Sequence, residues 1–306
     1  MFETIQGHQT ITNHLANEIG SQQVSHAYLF SGIDGIGKKK TAREFAKALL
    51  CQDLESPGCG HCSVCLQIEH ENYPDVKIIG PKAGVDSIKI SQVREMISEL
   101  AIKPYSGDWR NNIIDGAEKM TPEAQNSLLK SLEEPLSYNI FILVTSHPMS
   151  ILPTIRSRCQ SYHFQPLTMV EMEAVVFEQG EFDKPAVTEA IRAAGGSPGM
   201  ALYLLNNGEI QKERTHYLRE LYSLLKGDEI KIFTLAEVLS KDKTTSQEML
   251  EFFIHWFYEV NLLLEGHPLP QQGEPNAAHR AYHQLLENEK NQAIIKTLFE
   301  MMATIQ

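Results

Sequence analysis

The stretch GIDGIGKKKT, Gly32–Thr41, decides how the N-terminal half of the chain is read. It nearly spells the phosphate-binding pattern G-x-x-x-x-G-K followed by Ser or Thr. Gly32, Gly37 and Lys38 fit, while Lys39 stands where the hydroxyl residue belongs. The surroundings suit such a loop. HAYLF (26–30) is a short apolar run that reads as a buried strand. After Lys38, the stretch TAREFAKALL puts Ala42, Phe45, Ala46, Leu49 and Leu50 on one helical face. Strand, Gly-rich turn and helix form a cradle in which backbone N–H groups bind phosphates and Lys38 reaches the terminal ones.

Two features spoil the cradle. The Ser/Thr hydroxyl that would hold Mg2+ is missing. Thr41 does not replace it, since two further residues carry it about 200° around a helix of 3.6 residues per turn. Lys39 instead adds a positive charge where a metal ion would sit. The second half of such a site is an apolar strand ending in acidic residues, here IIDGAE. Asp115 is placed to face a metal, but Gly116 stands where a hydrolytic ATPase carries its water-activating Glu, and Glu118 is expected to point elsewhere. The expectation is a phosphate-loop fold that binds nucleotide weakly or not at all and does not hydrolyse it.

Further strands are expected at YPDVKIIG (73–80), NNIIDG (111–116), NIFILVT (139–145) and CQSYHF (159–164). Between them lie helices over 91–102, with Ser91 as N-cap, and 121–135, with Thr121 as cap and Pro122 at the first helical position. This alternation predicts a mostly parallel sheet covered by helices. After Gln165 the pattern is helical throughout: 168–179, 185–194, 198–206, 208–225, 230–240, 246–265, 276–287 and 288–304, with a Pro-rich loop at 266–275. The expected architecture is an α/β domain over 1–165, a small helical domain over 166–207 and an all-α domain over 208–306.

Hydrophobic residues make up 42% and charged residues 22% of the 306 residues, as in a soluble globular protein. No apolar run approaches a membrane span, and MFETIQGHQT has neither the basic nor the apolar region of a secretory signal, so the expected compartment is the cytoplasm. The net charge of -12 argues against holding nucleic acid by bulk electrostatics without partner chains.

Four of the five cysteines, Cys51, Cys59, Cys62 and Cys65, follow a C-x7-C-x2-C-x2-C spacing. Four thiolates in such a cluster can wrap one Zn2+ tetrahedrally, leaving no open position, so the expected site is structural rather than catalytic. Free thiols or a redox CxxC are the alternatives. His61 and His70 are spare ligands.

Taken in order, SHAYLFSGIDGIGK, the four-Cys insertion, NSLLKSLEEP, FILVTSHP and IRSRC resemble the AAA+ clamp-loader subunits of the bacterial DNA polymerase III holoenzyme. The resemblance covers the whole chain and implies an AAA+ domain, a helical lid and a helical collar. Two kinds of subunit are close: the gamma/tau ATPase motor and the delta-prime type, whose nucleotide site is degenerate. Lys39 and Gly116 favour the second kind, as does Gly199, which stands where the motor subunits carry a sensor Arg. The resemblance also implies that Arg158, of the Ser157-Arg158-Cys159 motif, acts as an arginine finger on a neighbour's ATP.

The partners so implied are gamma/tau and delta subunits, with the beta sliding clamp and primer-template DNA reached through the assembled complex in the cytoplasmic replisome. The chain would belong to a DNA polymerase holoenzyme without itself having ATPase or polymerase activity. A gamma-type ATPase and a stand-alone zinc-dependent nucleic-acid binder are the rival readings. Arg156, Thr145, Ser146 and Glu133-Glu134-Pro135 are expected to be structural, Cys159 a buried apolar residue, and FFIHWFY (252–258) helical core or collar interface.

Overall fold

In the computed structural model, residues 1–207 are described except 54, 83, 106 and 107, together with 217, 237 and 249. The helices expected beyond 207, the aromatic stretch 252–258, the loop 266–275 and the domain over 208–306 lie outside the described residues. The chain divides into two compact units, one of Met1–Glu181 with Gly196–Met200, the other of Phe182–Gly195 with the residues from 201 onward.

The first unit is built on a parallel sheet. Helix α1 (Gln9–Gly20) leads to β1 (Ala27–Ser31), the phosphate loop and α2 (Lys38–Leu50). Then come α3 (Ser63–Glu69), β2 (Val76–Ile79), α4 (Ile90–Glu99), β3 (Arg110–Asp115), a single 3-10 turn at Ala117–Lys119 and α5 (Pro122–Glu133). Strand β4 (Asn139–Thr145), the short helix α6 (Pro153–Arg156) and β5 (Gln160–His163) complete the sheet, and α7 (Met169–Gln179) follows. The strand order is β2-β3-β4-β1-β5, with every neighbouring pair parallel.

All five residues of β1 are buried because both of its faces are covered. Side chains alternate along a strand, so Tyr28 and Phe30 pack with Phe45, Ala42 and Ala46 of α2 on one face. Ala27 and Leu29 pack with Phe141, Leu143, Leu128 and Met96 on the other. Burying one such aromatic side chain contributes about 1.5–3 kcal/mol. This two-sided packing places the C-terminal ends of β1, β3 and β4 side by side, where the site residues gather.

Helix α5 follows its sequence signals. Thr121 Oγ1 accepts from the Ala124 N–H (3.3 Å), Pro122 occupies the first turn, and the helix stops at Glu133, two residues before Pro135. Helix α4 departs from expectation. Lys89, not Ser91, is its N-cap residue, because the Gln92 side chain turns back to accept the Lys89 N–H (3.2 Å) and draws Ser91 inside the helix.

Strand β2 is half as long as the apolar run suggested, since the backbone still turns at Tyr73–Val76. Helices α1 and α3 carried no expectation. In the second unit α8 spans Lys184–Ala193, and α9 (Pro198–Asn206) begins in the first unit. Among the described residues no helix is long and apolar enough to cross a membrane.

Candidate nucleotide-site remnant, cysteine cluster and Arg158

The phosphate loop runs from β1 into α2. Gly37 takes the left-handed conformation (φ 103°) that admits the chain into the helix, and its carbonyl accepts both the N–H (2.8 Å) and the Oγ1 (3.0 Å) of Thr41. Thr41 is fully buried in that role and does not reach the loop mouth. Lys38 is only 5% exposed, and its Nζ donates to the carbonyls of Gly32 (2.6 Å) and Ile33 (2.7 Å). Burial holds its ammonium below the usual lysine range, against the opposing pull of Asp34, Glu118 and Asp115. The donors that would meet a terminal phosphate are thus turned into the loop's own backbone.

Beside the loop lies a cavity of about 440 Å3 lined by Asp34, Lys38, Lys39, Asp115, Glu118 and Thr145, among others. Lys39 Nζ stands 3.5 Å from Asp115 Oδ2 and 3.5 Å from Glu71 Oε1. Such an exposed pair stabilises the fold by at most about 1 kcal/mol. Its weight is chemical, because the ammonium occupies the approach to the one carboxylate expected to face a cation. Gly116 leaves β3 in the left-handed conformation (φ 73°) and contributes no carboxylate. Glu118 corrects an expectation: it faces the same cavity, where Ser146 Oγ donates to it (3.0 Å). The 3-10 turn brings it back toward the strand end, which a three-residue offset in sequence conceals. Thr145 Oγ1 accepts the His147 N–H (3.1 Å), the strand-end role expected of it.

A second finding has no signal in sequence. The segment Gly196–Met200 lies directly on the loop. Ser197 Oγ donates to the Asp34 carbonyl (2.6 Å) and accepts the Met200 N–H (3.2 Å), while the Gly199 N–H donates to the Gly35 carbonyl (2.9 Å). A Cβ at position 199 would lie 2.8 Å from Gly35 Cα and 2.9 Å from its oxygen. The two glycines therefore pack backbone against backbone, and no side chain fits between them.

The four cysteines come together as their spacing predicted. Their Sγ atoms all lie within 4.8 Å of one another, and none of the four is in a disulfide, with Cys65 buried and the others half-buried. Cys51 Sγ is 3.9 Å from Cys62 Sγ and 3.7 Å from Cys65 Sγ. Cys62 is also the N-cap of α3: its sulfur accepts the Cys65 N–H (3.4 Å), and Cys59 sulfur accepts the Cys62 N–H (3.4 Å). Burial raises the Cys62 thiol, yet hydrogen bonds to its sulfur from the Cys65 and Gln52 N–H groups and from the Cys65 and Cys59 thiols outweigh it and hold the group below the usual thiol range, toward the ligating thiolate. The cluster could hold a metal ion. His61 forms a second, more open group with Asp53 and Cys59, and His70 joins neither group.

Helix α3 does not rest on the cysteines alone. Lys39, Arg43 and Lys47 recur every fourth residue along α2 and meet acids of α3 and the residues after it. Arg43 pairs with Glu69 (2.9 Å), Lys47 with Glu69 and Glu44 (2.8 Å to the latter), and Lys39 with Glu71. Lys47 and Glu44 are each 7% exposed in their side chains.

Arg158 lies between α6 and β5. Its Nη1 donates to the Thr154 carbonyl (2.7 Å) and its Nη2 to Glu133 Oε1 (2.8 Å), and the side chain is one-third exposed. Arg156 instead donates to Met149 Sδ (3.0 Å). Cys159 is only partly buried, short of the burial expected of it; it packs on the same core as Leu29 and Phe141, and burial pushes its thiol up to about 12.

Residues 7–168 match the family described as "DNA polymerase III, delta subunit". The chain is 31% identical over 239 residues to the DNA polymerase III subunit delta' of Pseudomonas aeruginosa, covering 78% of this chain and 72% of that one. It is 34% identical over 202 residues to the subunit tau/gamma of Haemophilus influenzae, covering 64% of this chain but only 29% of that much longer relative. A solved structure of a gamma subunit-related DNA polymerase III protein of Thermotoga maritima aligns over 94% of this chain and 97% of its own, with 14% identity and a TM-score of 0.43. With more than half of its length matched by the family and a delta' relative covered over most of its own length, the chain belongs to the AAA+ family of DNA polymerase III clamp-loader subunits.

Proposed function

We propose that the chain is a delta-prime-type subunit, a part of the clamp loader that does not hydrolyse ATP and lends Arg158 to a neighbouring ATPase subunit. The observation that carries this reading is Lys39 Nζ at 3.5 Å from Asp115, with no carboxylate at Gly116. A cation placed there would meet an ammonium already paired with its ligand. Lys38 bound to its own loop and Gly199 packed on Gly35 support the same conclusion. Gly32, Gly37, Lys38, Lys39 and Asp115 are then the remains of a nucleotide site that binds ATP weakly or not at all.

Arg158 is the group that remains usable. A guanidinium aimed at a neighbour's γ-phosphate stabilises the charge that develops in phosphoryl transfer, an effect of about 10³–10⁵ in rate. Its planar, permanently charged fork suits phosphate oxygens. The neighbours are gamma/tau and delta subunits, and the assembly loads the beta sliding clamp onto primed DNA, this chain serving as scaffold through a lid (166–207) and a collar (208–306).

The metal in the four-Cys module is Zn2+ in a structural role. Zn–S bonds of about 2.3 Å span tetrahedral edges of about 3.8 Å, and the sulfur pairs at 3.7 and 3.9 Å suit that shape. Zinc would tie down a segment too short to carry its own core.

The test is steady-state ATP hydrolysis by the purified chain and by the reconstituted loader with Arg158→Ala. An inactive isolated chain, together with slower turnover in the variant complex, is expected. Mg2+-dependent hydrolysis by the isolated chain at the rate of a motor subunit would replace this reading with a gamma/tau-type ATPase, which the 34% identity to a tau/gamma relative keeps as the second reading.

A further inference from the structure

Glu133 is half-exposed at the C-terminal end of α5, where the helix dipole disfavours an anion. Its carboxylate meets Arg158 Nη2 at 2.8 Å, while the Thr154 carbonyl takes Nη1 at 2.7 Å. Both terminal nitrogens of the guanidinium fork are therefore turned toward this chain's own atoms. Those are the nitrogens a guanidinium presents to a phosphate when it binds in bidentate fashion. To reach a neighbour's nucleotide, Arg158 has to leave both partners.

From this geometry we infer that Glu133 is a positioning residue: it parks Arg158 against the subunit and competes with the neighbour's nucleotide for the guanidinium. The inference rests on the arginine-finger reading above. The pairing has the strength such a device needs. A one-third-exposed Arg on a half-exposed carboxylate is a weak pair in water, so a triphosphate with several charges displaces the carboxylate readily. Until a nucleotide arrives, the parked side chain does not wander among rotamers, and it is not left to pair with other anions at the interface.

The test is the ATP dependence of hydrolysis by the reconstituted complex carrying Glu133→Gln, Glu133→Asp, Arg158→Ala, or Glu133→Gln together with Arg158→Ala. Removing the competitor should raise kcat/KM by about two- to fivefold in Glu133→Gln, the range a single exposed ion pair spans. Glu133→Asp keeps the charge and should stay near wild type. The gain must vanish on the Arg158→Ala background, which a merely structural role of Glu133 in ending α5 would not require. If Arg158→Ala slows the complex but Glu133→Gln leaves kcat/KM unchanged or lowers it, the parking role is wrong and the finger stands. If Arg158→Ala has no effect, the finger reading is wrong and the parking role falls with it.

Discussion

Gly199→Ala inserts one methyl group into a close backbone-on-backbone contact at the site. The added Cβ would stand 2.8 Å from Gly35 Cα and 2.9 Å from the Gly35 oxygen. Both are backbone atoms, which cannot swing aside as a side-chain tip can. Separating the two segments by the missing few tenths of an ångström strains the Gly199 N–H bond to Gly35 and the Ser197 bond to the Asp34 carbonyl. Overpacking of this kind costs about 1–3 kcal/mol. For a unit approaching 200 residues, a mid-range cost of about 2 kcal/mol lowers Tm by about 4–8 °C.

Calorimetry on the full chain reads the shift, and exchange of the Gly199 amide, which should quicken, reads its location. The control is Gly20→Ala, at the end of α1 with open space around it. It should lose nothing, because alanine favours helix over glycine by up to about 1 kcal/mol. If Gly199→Ala melts within about 1 °C of wild type with its amide exchange unchanged, the packing of Gly199 on Gly35 does not exist in the folded protein. The same geometry implies that the sensor Arg expected in motor subunits has no room here unless the segment lifts off the loop.

Three further predictions concern the module and its supports. Lys47→Ala strands the Glu44 carboxylate, itself 7% exposed, and breaking a buried pair in this way should cost about 3–5 kcal/mol in denaturant unfolding. A loss below about 1 kcal/mol would show that water reaches Glu44. The Glu69 carboxyl sits below its usual range, since Lys47 and Arg43 together outweigh the burial that pushes it the other way. A depressed carboxyl stabilises the fold above its unfolded pKa of about 4.3 and loses that contribution as pH falls below it. The stability gap between wild type and Glu69→Gln should therefore be full at pH 6 and shrink toward pH 3, and a gap independent of pH would remove the ion pairs from the account. Cys65→Ser replaces the one buried sulfur of the cluster. Metal content per chain, read by mass spectrometry, should fall from about one to well below one, with a lower Tm; an unchanged content would exclude Cys65 as a ligand.

Local order was readable where local chemistry sets it. Strands β1 and β4 announced themselves as apolar runs because both of their faces are buried, and α5 showed its cap and its proline. The four cysteines lie close enough in sequence for spacing alone to bring them together. Contacts between distant segments left no such trace. Glu71 on Lys39, Glu133 on Arg158 and Gly199 on Gly35 join residues 25 or more positions apart, and no periodicity encodes them. Glu118 faces the cavity because a 3-10 turn, not extended chain, follows Asp115 and Gly116, a bend that sequence offset does not reveal. Ser91 suits a cap by residue type, but the Gln92 side chain is the stronger claimant for the free N–H of Lys89.

The basic stripe along α2 couples the inserted module electrostatically to the lysine at position 39. If residues 51–72 were deleted, Lys39, Arg43 and Lys47 would face one another along a bare helix side, with Glu69 and Glu71 gone and Asp115 and Glu44 the remaining counter-charges. Restoring a hydroxyl at 39 while keeping the module would leave Glu71 without its cation. Grafting the module onto another chain would call for transplanting the stripe with it.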